Sequence, residues 1–329
     1  MRHGGIRRGM WVVAGAVALA PAVLAAALAL AGCGAPREVA AATYGAAASP
    51  LYDRGYKCDL VERLPEPPEL VIFGGSRAQR FEPTLAEELT GLPAFNFAVQ
   101  NSRPEDVYAM ARHLFWRAPG VKLRCFWALQ ATTLSDAPFH PGLLAEPRLS
   151  RFLPEDLLAK QRGISVSREG RELSPDNRFT ARGSLVYNSY DARLERGIPF
   201  EQTLAGYLSA LVPRAGAPAA YDSARARRYF ERTLQLFNLH DVEPVLVIMP
   251  YHPTALAAFR AVGWGAKEQA LKTYLKSLRG TYRFHLLDYT DIASFHGSRD
   301  AFYDGAHVKS VNARRILRQA VMDAPAAFR

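Results

Sequence analysis

The chain has 329 residues, of which 49% are hydrophobic and 22% charged, and this balance excludes a disordered protein and allows a full core. The formal net charge is +10. No dense Lys/Arg block accompanies it, which argues against a nucleic-acid partner and suits an anionic envelope or membrane surface.

Arg2, Arg7 and Arg8 form a basic start, and the run from Met10 to Ala31 is apolar and uncharged. It ends in Leu30-Ala31-Gly32-Cys33, a small-residue ending of the secretory type. Residues 1–33 are therefore expected to be a signal sequence or a membrane anchor. Both readings place the rest of the chain outside the cytoplasm. Residues 34 to about 55 are rich in Ala with Gly, Pro and Ser, and read as a tether. The folded domain is expected over 56–329. Beyond Cys33 only Cys58 and Cys125 remain, and either one disulfide or two buried thiols fits them.

From residue 69 strands and helices alternate. Leu70–Gly74 is a short apolar strand that stops at Gly74-Gly75-Ser76-Arg77. A helix is predicted over Pro83–Leu89, and a second strand over Ala94–Val99. Ser102, Pro104 and Glu105 predict a capping box, followed by a helix with Val107, Met110, Ala111 and Leu114 on one face. Leu123–Leu129 is the third strand. Residues 131 to about 220 then break the rhythm, with amphipathic pieces only near Pro154–Gln161 and Phe200–Leu211. A long insertion here is expected to be either a lid or a structural flap. A helix from Tyr221 to Leu239 leads to the fourth strand, Val245–Met249. Helices over Thr254–Val262 and Gly265–Leu278, a fifth strand over Phe284–Leu287 and a helix capped by Ser310 complete the pattern. The expected fold is α/β, with a five-stranded parallel sheet covered on both faces.

Ser76 sits at the end of the first strand, on the side where open α/β sheets hold ligands. A nucleophilic serine needs a base, and the base needs an orienting group. Asp304 and His307 stand three apart in a turn before the last helix and suit those two roles. The Gly-Gly-Ser-Arg turn is not the elbow of α/β-hydrolases. No GxGxxG or P-loop occurs, and His285 and His296 lack metal-ligand spacing, so neither cofactor nor metal is expected. His252 follows the fourth strand and, with Arg77, is a candidate substrate contact.

These two blocks, at roughly 69–130 and 243–322, resemble the SGNH/GDSL hydrolase superfamily, and the Gly-Ser-Arg turn resembles its envelope-associated branches. The N-terminal ending similarly resembles a bacterial lipobox, which implies that Cys33 carries lipid. The resemblance implies a three-layer sandwich of flavodoxin-like strand order 2-1-3-4-5. It implies ester hydrolysis or acyl transfer through an acyl-serine, with Ser76 as nucleophile, His307 as base and Asp304 as its orienter. The expected substrate is an acylated carbohydrate or lipid of the envelope. The family's oxyanion donors are the serine N–H, a Gly after the second strand and an Asn after the third. Here Asn101 stands near the Gly position, and Gln130 is a candidate surrogate for the missing Asn. That departure keeps a second reading open, a non-catalytic lipoprotein that binds a glycan or a partner protein.

Overall fold

A computed structural model describes residues 53–154, 177–217 and 222–329. The Cys33 ending, the greater part of the tether, and Glu155–Gln161 of the amphipathic piece at 154–161 lie outside them. The domain begins slightly earlier than the composition suggests. Helix α1 spans Asp53–Glu62, and Asp53 and Arg54 are already buried. Their charges explain why composition misplaces the boundary: Arg54 donates to Asp53 at 3.0 Å and to Asp106 at 2.6 Å, so ion pairing offsets their burial.

The central sheet has strands β1 (Leu70–Phe73), β2 (Ala94–Asn96), β3 (Arg124–Leu129), β6 (Val245–Ile248) and β7 (His285–Asp288). A two-residue strand β4 (Arg178–Phe179) and β5 (Leu185–Tyr187) form a separate hairpin within the insertion. All pairings in the central sheet are parallel, in the order β2-β1-β3-β6-β7. Counting central strands alone, that is 2-1-3-4-5.

Strand alternation sorts side chains onto two faces. Leu70, Ile72, Phe126, Ala128, Val245 and Val247 join the core beneath helices α2 (Pro83–Thr90) and α11 (Ser310–Asp323). On the other face Phe73 meets Phe237, and Trp127 meets Phe230, with ring centroids 6.1 and 4.7 Å apart. Both partners lie on α8 (Ala224–Leu239), which packs with α3 (Pro104–Arg117).

Two helix starts differ from the expectation. The α3 cap is Arg103, whose N–H donates to the Asp106 carboxylate at 2.9 Å. Proline lacks an N–H and suits the first helical position, so Pro104 sets the cap one residue later than Ser102. Glu105 is then free to turn inward, where Arg225 reaches it at 3.0 Å. Likewise Ser310 is the first residue of α11, after an extended Lys309. Cys58 and Cys125 are both buried free thiols rather than a disulfide, and burial pushes both well up from the usual thiol range.

The insertion returns to the sheet twice. Its hairpin covers the exposed edge of β2, where Asn96 N–H donates to Arg182 O at 2.9 Å. Helices α6 (Ser189–Glu195) and α7 (Phe200–Gly216) then reach the carboxyl end of the sheet. There α7 packs against α9 (Pro253–Ala261) and, through Tyr251, Phe259 and Trp264, shares a second core with the start of α10 (Trp264–Ser277).

Candidate active site

After β1 the chain goes to one side of the sheet for β2, and after β2 to the other side for β3. That reversal opens a crevice at the carboxyl ends of β1 and β3. A cavity of about 300 Å³ lies there, and Ser76, His307, Asn101, Gln130 and Arg77 all line it.

The Ser76 turn depends on glycine. Gly74 has φ +148°, and a Cβ there would lie 2.8 Å from the Ala128 Cβ and 3.0 Å from the Ala78 Cβ. This close approach brings Ser76 directly beside the end of β3. Ala78 N–H bonds back to Gly75 O at 2.9 Å and starts a short 3₁₀ turn at Ser76.

The loop that carries Asp304 and His307 is closed by an isolated bridge between Phe302 and Val308. Tyr303 N–H donates to His307 O at 2.8 Å within it. Asp304 Oδ1 accepts the N–H groups of Ala306 and His307 at 2.7 and 2.8 Å, an Asx turn that aims the histidine. Asp304 Oδ2 lies 2.8 Å from His307 Nδ1. His307 Nε2 lies 3.0 Å from Ser76 Oγ. A carboxylate facing Nδ1 assigns the proton to that nitrogen and leaves the Nε2 lone pair toward the serine.

The insertion supplies what sequence reasoning missed. Tyr190 on α6 donates its hydroxyl to Asp304 Oδ2 at 2.6 Å. Asp304 thus accepts four hydrogen bonds and is only 1% exposed. Burial works against its charge, but the His307 imidazole beside it and these donors outweigh it and hold the carboxyl down at about 2. Burial, with Asp304 next to it, pushes the Tyr190 hydroxyl far up, so it stays a donor. Asp191 fixes α6: Arg80 and the Tyr303 hydroxyl both bind its carboxylate, the latter at 2.7 Å. Tyr207 on α7 packs flat on Gly305, where a side chain would collide with its ring. The Asn188 and Asp191 capping pair is a legible helix start, yet no pattern in the sequence announces that Tyr190 meets Asp304.

The remaining candidates sort by what they touch. Asn101 has φ +51°, the left-handed conformation that glycine favours and asparagine tolerates. Among the described residues neither Ser76 N–H nor Asn101 N–H has a protein acceptor. Gln130 N–H is already donated to Thr133 Oγ1 at 2.9 Å, which leaves only its side chain for the cavity. Arg77 lies on the Tyr251 ring at 4.1 Å and bonds Ala306 O at 3.3 Å and Pro250 O. His252 does not line the cavity. It caps α9 through Thr254 N–H at 3.3 Å, donates its own N–H to Gly305 O at 3.0 Å, and is buried between Phe200 and Phe302. Its apolar pocket suits a structural cap rather than a substrate contact. Among the described residues no group of three or more His, Cys, Asp or Glu is arranged to hold a metal ion.

Compared with known proteins, the chain matches no family model and no curated relative.

Proposed function

We propose that this chain is a serine esterase or O-acyltransferase of the SGNH type, acting on an envelope carbohydrate or lipid. The observation that carries the reading is the continuous chain from Ser76 Oγ to His307 Nε2 at 3.0 Å and from Nδ1 to Asp304 at 2.8 Å. The cavity beside it and the low pKa of Asp304 support the same reading.

In this mechanism His307 Nε2 takes the Ser76 proton as Oγ attacks the ester carbonyl carbon. The carbonyl oxygen becomes an oxyanion held by the N–H groups of Ser76 and Asn101. His307 returns the proton to the departing alcohol, and an acyl-serine remains. Water, or an acceptor hydroxyl, then gives its proton to His307 and attacks the acyl carbon, and Ser76 is regenerated. The nature of that second nucleophile is what separates a hydrolase from a transferase.

A fluorophosphonate probe tests this directly. It should label the wild-type protein at Ser76 and leave Ser76→Ala unlabelled. A folded wild-type protein that resists the probe, or that labels equally in Ser76→Ala, speaks against the reading.

We place the protein outside the cytoplasm, held at the membrane by lipid on Cys33. The basis is the Leu30-Ala31-Gly32-Cys33 ending after a basic start. Among the described residues no helix is long and apolar enough to cross a membrane. Cys33→Ala should abolish palmitate incorporation in growing cells. Unchanged processing and membrane retention in that variant would point to an uncleaved N-terminal anchor instead.

A further inference from the structure

We propose that the Ser76 cavity takes an anionic substrate, one with a carboxylate or phosphate near the scissile ester, for which Arg77 is the counter-ion. The inference rests on the serine-esterase reading and names the substrate class of that same site.

The central observation is a buried cation without an anion. Arg77 is only 6% exposed. Its partners are two backbone carbonyls and the face of Tyr251, all neutral. Among the described residues it forms no ion pair. Charge is expensive to bury without a counter-ion.

The other buried cations show how this fold ordinarily handles that cost. Arg54 pairs with both Asp53 and Asp106, and Arg80 pairs with Asp191. Lys57 donates to the carbonyls of Asn96 and Gly183, but burial pulls it down to about 7, so it can shed its proton. A guanidinium has no such escape. Arg77 stands one residue after the nucleophile and in the wall of the cavity.

Among the described residues that line the cavity, none is an Asp or Glu. The nearest catalytic carboxylate, Asp304, is occupied by four donors and sealed from solvent. Tyr207, Tyr251 and Trp264 add aromatic surface on which a sugar ring or an acyl chain can lie. A net charge of +10 over the whole chain draws anions toward such a site.

The negative group can belong to the acyl side or to the alcohol side of the ester, and paired esters distinguish them. The acyl pair is para-nitrophenyl hydrogen glutarate against para-nitrophenyl pentanoate. The alcohol pair is O-acetylated methyl glucuronide against O-acetylated methyl glucoside. With the full-length wild-type protein, one pair should show a kcat/KM preference for the anionic ester of about tenfold or more, as for charged hydrogen bonds generally. Added salt should shrink it. Arg77→Gln should move that ratio toward one, a readout that survives any general loss of rate. Ratios near one in both pairs, with turnover intact, overturn the proposal. No turnover of any of the four esters, together with no fluorophosphonate labelling, overturns the esterase reading and the proposal with it.

Discussion

Replacing Asp304 by asparagine should lower kcat toward a model ester about 10⁴-fold. The carboxylate fixes the imidazole with its proton on Nδ1, 2.8 Å away, and steadies the positive charge that forms as His307 takes the serine proton. An amide can present its NH₂ to Nδ1 instead. The favoured tautomer then turns its N–H toward Ser76, and the base is lost. The same substitution should cost stability at neutral pH. The Asp304 carboxyl sits at about 2 against an ordinary 3.8, which corresponds to roughly 2 kcal/mol. A depressed carboxyl contributes stability that is fully present above the unfolded value and is lost as pH falls through the folded one. The melting-temperature gap between wild type and Asp304→Asn should therefore be widest near neutrality and close between about pH 4 and pH 2. A gap that does not narrow in acid would mean that Asp304 contributes by packing and not as an anion. Tyr190→Phe removes only one of the four donors on that carboxylate and leaves the tautomer in place. Its loss of kcat should be about 10- to 100-fold, the worth of a single hydrogen bond to a charged group.

Much of this site was legible in the sequence because it is built from local rules. Val245–Met249 reads as a strand buried on both faces, and the strand forms over Val245–Ile248 with all four residues in the core. The alternation of strands and helices leads to a parallel sheet, and the order of its strands carries Ser76 to the carboxyl edge. Asp304 and His307 are three apart, so a single turn is enough to bring their side chains together. The contact between Ser76 and His307 spans 231 residues and depends on the whole sheet.

What the sequence hid falls into two physical kinds. The first is a one-residue ambiguity at helix starts. Ser102 and Arg103 both precede Pro104, and only the fit of proline at the first helical position decides between them. The second is long-range convergence without a pattern. Residues 189–216 carry no strand rhythm, yet they deliver Tyr190 to Asp304 and Tyr207 to Gly305. Their contacts are set by packing against α9 and by Asp191, which holds Arg80 of the Ser76 turn and Tyr303 of the loop that carries Asp304 and His307 together. Arg77 illustrates the limit from the other side. Its position after the serine suggested a substrate contact, and it does line the cavity, but the carbonyls of Pro250 and Ala306 that hold two of its nitrogens come from distant loops and no local pattern announces them.

The oxyanion hole yields the second large effect, and the conformation of Asn101 decides how to test it. At the end of β3 the Gln130 N–H is bonded to Thr133 and is not available. Ser76 and Asn101 both line the cavity, and their N–H groups have no acceptor among the described residues. The turn that presents Asn101 is anchored from below, since the buried Asp53 carboxylate accepts the N–H of Gln100. At φ +51° Asn101 occupies the left-handed region. Glycine adopts that conformation without strain and keeps the N–H, so Asn101→Gly removes only the side chain. If the backbone donates, Asn101→Gly should retain nearly full kcat. If the side chain donates, the same variant should lose about 100-fold or more. Asn101→Ala confounds the two, because alanine costs about 1–2 kcal/mol at positive φ. Proline cannot reach that φ and has no N–H, so Asn101→Pro should fall by at least about 100-fold in either case. Rates of acyl-enzyme formation with a chromogenic ester give the comparison, with circular dichroism to verify folding. Should Asn101→Gly and a folded Asn101→Pro both form the acyl-enzyme at the wild-type rate, Asn101 is not the second donor. The Gln130 side chain, on the opposite lip of the cavity, is then the group to replace.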